Sequence, residues 1–204
     1  MFSKTVRKHA VVAIALAVWI PSVAYGFSVL WRYSMTPGHP ASPPSKWPSQ
    51  VAITRHPTQA TLLMFAHPQC GCSKASLGEL EIIMARAPEK IRVNVMFYAP
   101  QGEAASWVKS DLWETAEKIP GVTVIQDTGN NIARSFGVFT SGQTLVYEAS
   151  GRLIFNGGIT ESRGHSGDNY GRDAIIALLN GYPAPSTTLP VTSPVFGCSL
   201  RSEE

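Results

Sequence analysis

The chain of 204 residues carries little charge of either sign: 15% of its side chains are Asp, Glu, Lys or Arg, against 44% hydrophobic. Lys and Arg number 17 against 14 Asp and Glu, but Lys4, Arg7 and Lys8 precede the first apolar run, and the remainder is balanced. The basic character is therefore terminal. A basic face of the kind that nucleic-acid binding needs is excluded. Also missing are a Walker loop, a dinucleotide glycine fingerprint, a GxSxG elbow and any internal repeat, so nothing points to nucleotide phosphates, a nicotinamide cofactor or a hydrolase nucleophile. No Asp or Glu occurs before Glu79, and cysteine is limited to Cys70, Cys72 and Cys198. An odd cysteine in an exported chain calls for an assignment.

What the chain does have begins with an apolar run, Ala10 to Trp31, whose one ionisable side chain is Tyr25. It is about as long as a bilayer span requires. Three cations precede it and only Arg32 follows directly, so the charge bias keeps residues 1–9 cytoplasmic and sends everything after Trp31 across. A cleavable signal peptide is the rival reading, with "AYG" ending at Gly26 as a small-x-small site. The stretch "FSVLW" prolongs the apolar run past that site and favours an uncleaved anchor over 10–31. Either way the domain is exported, which in a bacterium places it in the periplasm, where disulfides persist.

Residues 32–50 are rich in Pro and Ser, without apolar periodicity, and read as a stiff tether in which His39 and Trp47 are linker residues. The folded part spans 51–182. "ATLLMFA" is a buried strand; Leu77, Leu80, Ile83, Met84 and Ala87 recur at helical spacing until Pro88. "IRVNVMFY" is a second strand, "SDLWETAEKI" a helix opened by Ser110 and stopped by Pro120-Gly121, "VTVIQD" a third strand, and "NNIARSF" a short helix. "TLVYEA" and "RLIFNG" flank Ser150-Gly151 as a hairpin, and "RDAIIALLN" is the last helix. This order predicts an α/β fold, a mixed sheet flanked by helices. Residues 183–204 form a proline-rich tail carrying Cys198.

A strand ending in "FAHPQCGCSKAS", which opens a helix, followed later by "FGVFTSGQTLVYEASGRLIFNGGI", resembles the thioredoxin fold. "TSGQTLVYEASGRLIFNGGIT" and "RGHSGDNYGRDA" are more narrowly similar to the exported, membrane-anchored thioredoxin-like proteins labelled RedB. The resemblance implies thiol–disulfide exchange with a protein or small-molecule partner and requires no cofactor. Two departures stand out: one residue, Gly71, separates the cysteines instead of two, and Gln143 occupies the place, directly before Thr144, where thioredoxins carry a cis-proline against their thiols.

The nucleophile of disulfide exchange is a thiolate, which a helix N-terminus stabilises. Cys70 and Cys72 sit where a helix begins, with Lys74 close in sequence, so Cys70 reads as the attacking sulfur and Cys72 as the resolving one. A disulfide across one residue departs from relaxed geometry and is comparatively oxidising. His67 either tunes the thiol or packs. In a thioredoxin-like sheet the loop after Phe155 overhangs Cys70 and brings Arg163, His165 and Asp168 within reach, His165 as a proton shuttle and Arg163 as an anion or thiolate partner. Cys198 is a second resolving thiol, a third ligand, a partner for another protein, or an apolar anchor. The alternative function is copper(I) binding through Cys70, Cys72 and His165, with Met64 or Cys198 as further donors, since thiolates suit Cu(I). It is similar to exported thioredoxin-fold copper-delivery proteins, which also lack the cis-proline and use two Cys plus a distant His.

Overall fold

The computed structural model describes residues 4–182 and 189–200, and these form two units that divide between Thr36 and Pro37. The first is helix α1, Lys4–Met35, which runs through Pro21. Its segment Arg7–Met35 is long and apolar enough to cross a membrane, with mean hydropathy 2.0 and none of its window buried. At 1.5 Å per residue a helix of 32 residues is about 48 Å long, more than the roughly 30 Å of a hydrocarbon core.

The second unit holds a six-stranded sheet in the order β3-β2-β1-β4-β5-β6. Strands β1 (Ala60–Ala66), β2 (Ile91–Ala99) and β3 (Val122–Thr128) are parallel neighbours. Strand β4 (Thr144–Tyr147) runs antiparallel to β1 and to β5 (Leu153–Gly157). Helices α2 (Gly71–Arg86), α4 (Asp111–Lys118), α5 (Asn131–Ser135) and α6 (Tyr170–Leu179) link or follow the strands, with a short α3 (Ala105–Val108) that the sequence pattern does not reveal. This is the thioredoxin-like arrangement expected from the order of elements.

Alternation along the strands divides the core into two layers. On one face Leu62, Met64, Val93, Val95 and Phe97 meet Leu77, Leu80, Ile83, Trp113 and Ile175 from α2, α4 and α6. On the other, Leu63, Phe65, Met96, Leu145 and Tyr147 meet Ile132 and Phe136. Burying each such side chain contributes about 1.5–3 kcal/mol. Asp127, at the end of β3, holds the start of α5 by accepting from Ile132 N and Ala133 N, each at 2.8 Å. Ser110 stands at the N-cap of α4 as expected, but its buried hydroxyl makes no cap bond.

Two segments differ from the sequence reading. The expected tether, 32–50, is bound to the domain from Pro37 onward. Trp47 stacks edge-on against Phe136 and Tyr147, each at 5.2 Å, and Tyr147 Oη donates to Pro44 O at 2.9 Å. Proline-rich backbone has carbonyls to offer, and a large apolar ring among them gives the segment a reason to lie down. The expected tail lies in part outside the described residues, at 183–188. Beyond these, Val191–Thr192 forms β6, parallel to β5, and the chain then crosses Gly157 and Gly158 so closely that a Cβ on either would lie 2.1 Å and 2.6 Å from Ser193 Oγ and Pro194 O.

Candidate active site: three sulfurs at the start of a helix

Strand β1 ends at Ala66, and a turn over 67–69 delivers Cys70 as the N-cap residue of α2 in an extended conformation, with Cys70 N donating to His67 O at 3.1 Å. Cys70 is 2% exposed, whereas Cys72 and Cys198 are partly exposed. The reason for the burial is the tail. Ser141 N donates to Cys198 O at 2.8 Å and Leu200 N to Phe139 O at 2.9 Å, so residues 198–200 run against the segment that leads into β4. Leu200, 1% exposed, belongs to the second core layer, and Asn130 Nδ2 donates to Leu200 O at 2.5 Å. Gly197 passes Ser141 so closely that a Cβ would sit 1.8 Å from Ser141 O, so only glycine fits. Seated in this way, the tail brings Cys198 Sγ to 2.7 Å from Cys70 Sγ.

The electrostatics of the three thiols differ. Burial pushes Cys70 up, but hydrogen bonds from the Cys198 thiol and backbone, then from the N–H groups of Cys72 and Ser73, outweigh it, and its pKa falls below the usual thiol value. Cys72 is raised by burial, by the charge of Cys70 and by its hydrogen bond to Cys70, with Arg163 working the other way. Cys198 is pushed up to about 12 by burial, by its hydrogen bond to Cys70 and by the charges of Cys70 and Cys72, again opposed by Arg163. Of the two adjoining sulfurs, Cys70 is thus the easier to ionise and Cys198 the harder. Ultraviolet thiolate absorbance, followed against pH in the reduced protein, is expected to rise in one step below 9.0 and in two above it, the last near 12. A single threefold step at the ordinary value would contradict this arrangement.

The other residues singled out from the sequence fall into two groups. Arg163 reaches the thiols: its Nη1 donates to Gly197 O at 2.6 Å, and its charge acts on Cys72 and Cys198. Lys74, also expected to favour the thiolate, is exposed on α2. His165 is exposed, its Nε2 lying toward Gly167, and Asp168 pairs with Arg172 at 3.3 Å. His67 is half-buried against Tyr98 and Trp107, with ring centroids 5.6 Å away in each case, and burial lowers its pKa, so it packs as a neutral ring. Gln143 is buried in the turn into β4; its Nε2 donates to Asn156 Oδ1 at 2.7 Å and its O accepts from Phe65 N at 2.9 Å. Thr144 is buried and pairs across β4 with Met64 and Gly157. Met64 itself lies in the first core layer, away from the sulfurs' exposed side.

Sequence reasoning missed the groups that hold the site in place. Ser141 Oγ accepts from His67 N at 2.9 Å and lies 2.8 Å from Ser73 Oγ, which fixes the turn before Cys70 to the segment that carries the tail. Glu79, buried on α2, accepts from Arg172 Nη1 at 2.7 Å, Gly167 N at 2.8 Å and Asn169 Nδ2 at 3.2 Å. Asn169 also caps α6, accepting from Arg172 N at 2.7 Å. The loop bearing Arg163 is thereby tied to the helix bearing the cysteines. A signal was present: Glu79 is a carboxylate inside the apolar stripe of α2. A cleft of about 490 Å³, lined by Met84, Ile91 and Pro120, lies at the opposite end of the strands, far from this chemistry.

No protein-family model matches the chain, and no curated protein sequence matches it. Among solved structures it is similar to an uncharacterized conserved protein of Geobacillus kaustophilus, at 18% identity and a TM-score of 0.57, over 83% of this chain and 93% of that one. A hypothetical protein of Sinorhizobium meliloti 1021 is similar at 18% identity and a TM-score of 0.53, over 82% of this chain and 94% of the other. A pneumococcal exposed lipoprotein thioredoxin from Streptococcus pneumoniae matches more loosely, at 18% identity and a TM-score of 0.42, over 61% and 85%. At these identities the likeness is one of fold, and the sheet order with its flanking helices is the thioredoxin-like arrangement.

Proposed function

We propose that this chain is a membrane-tethered thiol–disulfide oxidoreductase of the extracytoplasmic side, a RedB-like protein held by α1 at the inner membrane with its domain in the periplasm. The observation that carries the reading is the approach of Cys198 Sγ to within 2.7 Å of Cys70 Sγ at the start of a helix. A thiolate favoured at Cys70 beside a protonated thiol at Cys198 is the ground state that disulfide exchange needs, because exchange proceeds by thiolate attack and by departure of a low-pKa thiolate. Partners would be protein or small-molecule thiols and disulfides, and the chemistry requires no cofactor.

The copper(I) alternative has Cys70, Cys72 and His165 as its donors, with Met64 or Cys198 as further ones; the His165 side chain is exposed and lies toward Gly167, whereas Cys198 Sγ lies 2.7 Å from Cys70 Sγ. Among the described residues no group of three or more His, Cys, Asp or Glu is arranged to hold a metal ion.

The test is a redox titration of the metal-free full chain in detergent micelles, across glutathione buffers of graded ratio, with the free thiols counted by alkylation and mass. Two thiols are expected to disappear together as one two-electron couple, at a midpoint of about −100 to −250 mV. Three thiols that stay reduced throughout would overturn the oxidoreductase reading, and tight Cu(I) binding abolished by Cys70→Ser with Cys72→Ser would replace it.

A further inference from the structure

Resting on the oxidoreductase reading, we propose that the working redox couple is Cys70–Cys198 and not the Cys70–Cys72 pair, with Cys198 the sulfur on which partners exchange. The sequence makes the CGC pair the obvious couple. The structure places a different sulfur next to Cys70 and gives it a seat of its own.

Three observations carry this. The tail is fixed on both sides of Cys198: the Gly197 carbonyl accepts from Arg163 Nη1, the Cys198 carbonyl from Ser141 N, and Leu200 is buried in the core with its N–H on Phe139. Val195, Phe196 and Leu200 are all buried, which holds the tail in its seat. Cys70 is thereby only 2% exposed and shielded from a partner sulfur, whereas Cys198 is partly exposed. Finally, a bond between Cys70 and Cys198 joins residues far apart in sequence without asking one intervening glycine to close a ring, as a Cys70–Cys72 bond would.

The exchange balances as follows. In the oxidised protein a partner thiolate RS⁻ attacks Cys198 Sγ; the S–S bond to Cys70 breaks, and Cys70 leaves as a thiolate. A second partner thiolate R′S⁻ attacks the R sulfur of the mixed disulfide, forming R–S–S–R′ and releasing Cys198 as a thiolate, which takes up a proton from water. Two partner thiols are oxidised to one disulfide, and the protein gains both electrons. The reverse sequence against a more oxidising disulfide restores the starting bond. Cys72 takes no part in either direction.

The protonation pattern suits these roles. Hydrogen bonds that lower Cys70 make it a good leaving group and favour the reduced form. The hydrogen bond to Cys70 and the Cys70 charge, which help hold the Cys198 proton, exist only while Cys70 is a thiolate. In the oxidised protein Cys198 is itself one of the bonded sulfurs and carries no proton, so the raised pKa belongs to the reduced form, where Cys198 gives its proton to water before it attacks a partner disulfide.

The experiment is disulfide mapping of the full chain in detergent micelles after oxidation with oxidised glutathione, alkylation of free thiols, proteolysis and fragmentation. The expected product is a peptide containing Cys70 joined to one containing Cys198, with the alkyl tag on Cys72. Cys72→Ser is expected to keep the couple, with its glutathione equilibrium constant within about threefold of the unsubstituted chain. Cys198→Ala, which leaves the Gly197 and Leu200 seats intact, is expected to lose it. In the Cys72→Ser chain, glutathione caught as a mixed disulfide is expected on Cys198. A Cys70–Cys72 bond with Cys198 alkylated, or the mixed disulfide on Cys70, overturns this assignment while leaving the oxidoreductase reading standing. A chain that forms no internal bond and does not exchange with glutathione at all sinks both.

Discussion

Replacing Arg172 with methionine is expected to lower stability by about 3–5 kcal/mol, the usual cost of stripping one partner from a buried ion pair. The side chains of Arg172 and Glu79 are 6% and 2% exposed and meet at 2.7 Å. With the guanidinium gone, the Glu79 carboxylate keeps Gly167 N and Asn169 Nδ2 as donors but has no buried countercharge, and it must either stay charged in a poor solvent or take up a proton. Urea unfolding of the domain is the measurement, with the midpoint falling and the slope unchanged. The double replacement Glu79→Met with Arg172→Met is expected to recover most of the loss, because it removes both charges together. A single replacement that costs less than about 1 kcal/mol would place this pair among exposed ones, which contributes against its burial. Chemistry should follow stability here. The pair anchors the loop that presents Arg163, and an Arg163 displaced from Cys72 and Cys198 would leave both thiols titrating higher than in the intact protein.

Cys70→Ser is expected to reduce thiol–disulfide exchange by about a thousandfold or more, since a hydroxyl supplies neither the nucleophile nor the leaving group of the reaction. The informative part of this variant is its second readout. Cys198 stands at about 12 in the intact protein, held up first by burial and then by its bond to Cys70 and by the Cys70 charge. Serine carries no charge, so burial and the charge of Cys72 remain against the pull of Arg163, and the alkylation rate of Cys198 should reach its plateau at a lower pH. An unchanged Cys198 profile in Cys70→Ser would mean that the two sulfurs do not share a proton, whatever the fall in activity.

The fold was legible because its signals are local. Period-two runs such as "IRVNVMFY", helical spacing from Leu77 to Ala87 and the Ser150-Gly151 turn each fix an element without reference to the rest of the chain. Cys70 at a helix start was equally readable, and Arg163 followed from the direction of β5, which returns to the edge where β1 ends. What could not be read depends on contacts between distant segments. Whether the proline-rich residues after Thr36 hang free or lie down depends on a cleft between Phe136 and Tyr147 that receives Trp47, and no periodicity encodes it. The tail is similar: its course is written in missing side chains, at Gly157, Gly158 and Gly197, and a glycine in sequence does not say which backbone will pass it. His165 was misleading for the opposite reason. Topology brings its loop to the right edge, but the orientation of one side chain within a polar loop is decided by neighbours such as Gly167.

The seat of Cys198 also sets a time at which chemistry can begin. Chains are made from the first residue onward, and strands β1 to β5 with α2 can pair before the last residues exist. Until then Cys70 and Cys72 stand at the helix start without the Cys198 thiol that lies 2.7 Å from Cys70, and Cys70 lacks the cover that leaves it 2% exposed. The contact that completes the site joins positions 128 residues apart, among the longest-range in the chain and thus among the slowest to form. An immature chain would present an open pair of thiols with ordinary reactivity, and the charged, shielded sulfur would arise only on completion. Maturation can therefore be followed through the reactivity of Cys70 alone, which should fall toward bulky alkylating reagents as residues 195–200 find their seat.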